Sequence, residues 1–140
     1  MIWIGIDPGT HTGVAIWDSK RKAFIELSTI PIHQALQKVM KYHSENKGRC
    51  DIYVVFEDAR QRTWFGKDKN TNAKLQGAGS IKRDCSIWED FCRDYQIPYI
   101  AVAPIKGGTK LSEAYFKAVT GWDKRTSNHA RDAAMLVIGR

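Results

Sequence analysis

The stretch IGIDPGTHTGVAIWD, residues 4–18, runs apolar into an acid, turns through Pro8, Gly9 and Gly13, and runs apolar again. Residues 1–7 are nearly all apolar, as expected of a strand buried on both faces, and Asp7 closes that strand. Residues 13–17 read as a second strand, antiparallel to the first across the turn. After the polar DSKRK, residues 23–30 read as a third.

A helix is expected from Pro31, with Ile32, Leu36, Val39 and Met40 at helical spacing and Gly48 ending it. DIYVVFED, residues 51–58, is a fourth strand. A polar loop, 59–72, leads to a long helix over 73–95, whose Ile81, Cys85, Trp88, Cys92 and Tyr95 recur every three or four residues and should share one stripe. Pro98 opens a short fifth strand, PYIAVA. PIKGGTK, 104–110, is a loop, residues 111–119 a short helix ended by Gly121, and SNHARDAAMLVIGR, 127–140, a last helix capped by Ser127 or Asn128. Three strands, then helix, strand, helix, strand, imply an α/β domain with a sheet of mixed direction, occupying all of residues 1–140. At 140 residues and 43% hydrophobic the chain can bury a real core, and no second domain is called for.

Charge and cysteines narrow the class. Lys and Arg number 22 against 15 Asp and Glu, a formal net charge of +7 that draws the chain towards polyanions, nucleic acid foremost. No apolar run is long enough to span a bilayer and no basic leader precedes one, so a cytoplasmic protein without membrane contact is expected. Cys50, Cys85 and Cys92 are odd in number and lack metal-ligand spacing, so reduced thiols are expected.

Three acids stand at the ends or on the faces of apolar elements. Asp7 and Glu57 close two buried strands, and if those strands are neighbours their carboxylates meet at one edge. Asp132 lies in an apolar helix, three residues after His129 and so on the same face. A carboxylate among alanines and leucines is costly without a partner. Plainer readings exist for each: Asp7 suits the start of a turn, Glu57 and Asp58 suit strand-end charges, and His129 and Asp132 suit a cap or pairs with Arg131 and Arg125. Turn chemistry does not, however, require acids in all three places. Brought together they would repel unless they held cations, and hard oxygen donors suit Mg2+ or Mn2+.

In order along the chain, IGIDPGTHTGVAIWD, VVFEDAR, LQGAGSIKRDC and HARDAAMLV resemble the RuvC-like Holliday junction resolvases of the ribonuclease H-like superfamily, small phage or prophage members in particular. The resemblance implies a ribonuclease H-like mixed five-stranded sheet, three antiparallel strands then two further strands, with helices on both faces. It implies a crossover junction endodeoxyribonuclease that cuts four-way DNA by paired phosphodiester hydrolysis. Asp7, Glu57 and Asp132 would be its catalytic metal ligands, with His129 standing where many relatives carry a further acid. Two Mg2+ ions, replaceable by Mn2+, would be bridged by Asp7, and His129 would hold a metal, orient water or shuttle a proton.

Lys106 and Lys110 occupy the place where relatives keep DNA-contacting lysines. Arg60, Arg62, Lys67, Lys69, Lys124 and Arg125 would add phosphate contacts, and Trp64 or Phe65 would stack on unpaired bases at an opened junction. Gly9 and Gly13 either pass close to a phosphate or tighten the hairpin. A two-fold junction suits a homodimer, expected to pair along the long helix through Gly77, Ala78, Gly79 and Trp88. Alternatives are a related nuclease acting on another branched DNA or on RNA, and a catalytically inactive DNA-binding module. A kinase or actin-like module shares the first motif, but 140 residues leave no room for its two lobes.

Overall fold

A computed structural model describes residues 1–62, 72–105 and 110–140. The described residues form strands β1 (Ile2–Asp7), β2 (His11–Asp18) and β3 (Ala23–Pro31), helix α1 (Ile32–Asn46), and strand β4 (Ile52–Glu57). Helix α2 (Asn72–Asp94), strand β5 (Tyr99–Val102) and helices α3 (Glu113–Thr120) and α4 (Asn128–Met135) follow. The sheet order is β3-β2-β1-β4-β5. β1, β2 and β3 are joined antiparallel, while β4 pairs parallel to β1 and β5 parallel to β4. Parallel neighbours need a crossover, and α1 and α2 supply the two. This is the expected mixed α/β sheet.

Strand alternation sends side chains to two cores. Ile2, Ile4, Ile6, Val54 and Phe56 pack with Ala35 and Val39 of α1 and with Cys85, Trp88 and Cys92 of α2. Ala15, Trp17 and Val55 face the other way, onto Phe116 of α3 and Ala133, Ala134 and Val137 in and after α4. Helices therefore cover both faces. None of the described helices is long and apolar enough to cross a membrane.

Several expected boundaries move for local reasons. β2 starts two residues early because Thr12 Oγ1 donates to Gly9 O at 2.7 Å, closing the turn and extending the ladder. α3 starts at Glu113, where the Ser112 hydroxyl accepts from Tyr115 N–H, and leaves Leu111 to pack in the core. Ser127 is the cap of α4, accepting from Ala130 N–H at 3.1 Å. α4 ends at Met135, and the remaining apolar residues turn over the sheet.

The stripe on α2 divides. Cys85, Trp88 and Cys92 are fully buried, whereas Ile81 is 42% and Tyr95 51% exposed. Trp88 is thus a core residue packed edge-on against Phe91, which corrects its expected place on a pairing surface. The three cysteines carry no disulfide, and burial pushes the Cys92 thiol up to about 12.

Candidate active site

The parallel ladder between β1 and β4 runs in register from Ile2 opposite Ile52 to Ile6 opposite Phe56. The next residue on each strand is Asp7 and Glu57, so the two acids end adjacent strands at one level. By alternation both share the face of Val55, which α4 covers.

Helix α4 sits unusually close to that face because of two glycines. A Cβ at Gly5 would lie 2.1 Å from Ala133 O, and one at Gly13 would lie 2.0 Å from His129 O. Gly13 therefore admits the start of the helix; it is not a phosphate cradle, and Gly9 meets nothing closer than 3.7 Å. With α4 seated this way, His129 Nδ1 stands 2.7 Å from Asp7 Oδ2. When Asp7 is ionised its carboxylate can only accept, and Nδ1 is then the donor of this contact. One turn on, Asp132 Oδ2 pairs with Lys110 Nζ at 2.9 Å.

Charge at the site reflects this crowding. Burial raises the Asp7 carboxyl above its ordinary value; the contact with His129 opposes the rise and Asp132 adds to it. Burial also raises Glu57, reinforced by Asp7 and Asp132 and offset by Arg62 and Lys110. The hydrogen bond to Asp132 raises the Lys110 ammonium in turn, against the opposing effect of burial.

Asp7, Glu57, His129, Lys110, Arg62 and Lys82 line a pocket of about 250 Å³. Pro8, Ala59, Ala78 and Ile81 form its apolar wall. Lys82, Ala78 and Ile81 were not legible as site residues. Their spacing marks one flank of α2, but only packing decides which flank meets the acids.

The remaining basic residues are placed differently. Arg60 turns inward: its Nε and Nη2 donate to the two oxygens of Asp58 at 2.7 and 2.9 Å, and its Nη2 also reaches Glu89 Oε2 at 2.7 Å. Burial pushes the Asp58 carboxyl up, but hydrogen bonds from Arg60 and Gln61 outweigh it and hold the group low. This clamp ties the turn after Glu57 to α2. Lys124 lies over the Trp122 ring, 5.5 Å from its centroid. Lys124 and Arg125 are exposed and do not line the pocket. Lys106, Trp64, Phe65, Lys67 and Lys69 lie outside the described residues.

Arg131, beside the acid, is buried and serves structure. It donates to Leu111 O, Thr126 O and the Asn128 side chain, pinning the loops on either side of α3.

Among the described residues, no three His, Cys, Asp or Glu side chains stand so that they could hold a metal ion as placed. In kind the donors fit a hard divalent cation: Asp7 and Glu57, both raised by burial, line the pocket, and Asp132, which is not part of its lining, stands near enough to act on both. In placement Asp7 is engaged by His129 and Asp132 by Lys110. Compared with models of protein families and with curated proteins, the chain matches none of either.

Proposed function

We propose that the chain is a cation-dependent endonuclease with a ribonuclease H-like fold, similar to the RuvC-like resolvases, which acts as a homodimer to hydrolyse four-way DNA junctions. The observation that carries this reading is the meeting of Asp7, Glu57, His129 and Asp132 at the carboxyl ends of two adjacent parallel strands. Ligands of open α/β sheets bind outside those strand ends. Three cations, Arg62, Lys82 and Lys110, stand among the acids, an arrangement suited to a phosphodiester.

Asp7, Glu57 and Asp132 would hold Mg2+ or Mn2+, which when bound would supply Lewis acidity for the attacking water and positive charge for the scissile phosphate. His129 is oriented by Asp7 through Nδ1, which leaves Nε2 to take the proton of the attacking water. The new O–P bond forms as the bond to the 3′ oxygen breaks. Arg62, Lys82 and Lys110 position the phosphate.

The test is a gel assay with a synthetic mobile junction, with and without Mg2+. Paired nicks are expected only with Mg2+, and Asp7→Asn should bind the junction while cutting nothing. Matched duplex, flap and RNA–DNA hybrid cut as well as the junction would assign the site to another nuclease of the superfamily. Binding without cleavage by the wild type would make it a DNA-binding module.

A further inference from the structure

Lys110 reaches the pocket from the loop before α3, and its side chain is 62% exposed against 30% for Asp132. Its ammonium can leave Asp132 without unpacking any core residue. While it stays, Asp132 Oδ2 is turned to a protein cation at 2.9 Å and is not shared with Asp7 and Glu57. Asp7 and Glu57 also act on the same ammonium. Asp7, Glu57 and Asp132 stand close enough to repel one another, and an ammonium paired with one of them reduces that cost in the cation-free protein. A divalent ion of hard oxygen preference would supply twice the charge at the same place.

We propose that Lys110 is a built-in competitor for the cation: it neutralises Asp132 when the site is empty and is displaced when a divalent ion binds. The inference rests on the reading of the pocket as a cation-dependent centre. Displacing a half-exposed ion pair is a modest step, so the competition should weaken cation binding by about threefold to tenfold. Lys82 lines the same pocket and makes no ion pair with a described residue, so it serves as the control for general charge.

The experiment is Mn2+ binding to the DNA-free protein, read from the electron paramagnetic resonance of unbound Mn2+ at neutral pH. Lys110→Met should bind about threefold to tenfold more tightly than wild type, Lys110→Arg within about twofold of it, and Lys82→Met should gain less than Lys110→Met. Equal gains in Lys110→Met and Lys82→Met would overturn the competition. So would unchanged or weaker binding in Lys110→Met while Asp132→Asn loses the ion; in both cases the cation centre stands. No Mn2+ binding by the wild type, or binding unaffected by Asp132→Asn and Glu57→Gln, would overturn the centre and the competition with it.

Discussion

The Asp7 carboxyl is raised by burial and by Asp132, despite the opposing contact with His129. A folded value above the unfolded one means that the folded chain holds the proton more tightly. The stability this group contributes is therefore full below its ordinary value of 3.8 and is lost as pH rises through the raised value. Asp7→Asn keeps the shape and removes the charge. Without divalent ions the variant should match wild type in acid and melt about 1–3 °C higher at neutral pH. Melting curves of both proteins across this range check the sign; a variant less stable at neutral pH would contradict it. His129→Ala should slow cleavage by about 10²-fold or more and shift the pH–rate profile. A slower enzyme with an unshifted profile would make His129 a support for Asp7 only.

Elements position these residues through close contacts that single atoms can break. Gly13→Ala places a Cβ against the His129 carbonyl, where backbone must yield. The expected cost is about 1–3 kcal/mol, with α4 lifted and His129 drawn from Asp7, so activity should fall further than stability. Calorimetry together with the junction assay measures both, and a variant with wild-type melting and cleavage would refute the close seating of α4. Arg60 is the second case. Its pairing with Asp58 and Glu89 makes Arg60→Ala a stability mutant, costing roughly 1–3 kcal/mol because Asp58 stays buried without its partner. Weakened DNA affinity with unchanged melting would instead return Arg60 to the DNA surface.

At the scale of the molecule, the net charge of +7 and the three pocket cations should make junction binding strongly salt-dependent. If Arg62, Lys82 and Lys110 each neutralise one phosphate, affinity should fall roughly 40-fold between about 50 and 200 mM salt, and Lys110→Met should lower the logarithmic slope by about one. Fluorescence titrations at several salt concentrations decide this. The proposed paired cuts call for a dimer, and a monomer in sedimentation both free and on the junction would count against it. Trp88 lies in the core and takes no part in a pairing surface, whereas Gly77, Ala78 and Gly79 stay exposed on α2.

Residues 4–18 disclosed the hairpin, the acid at its turn and the strand buried on both faces, because alternation and turn chemistry are written within a few positions. Ser127 disclosed the start of α4 for the same reason. The sequence raised the meeting of Asp7 with Glu57 only as a condition, that their strands be neighbours; the parallel pairing of β1 with β4 satisfied it. Tertiary packing alone set His129 on Asp7, 122 positions away, by letting α4 descend onto Gly5 and Gly13. It also turned Arg60 inward and Trp88 under the sheet, and brought Lys82 and Ile81 to the acids. Helical spacing says which residues share a flank, but what that flank meets depends on residues far along the chain, and only the packed sheet brings those into contact.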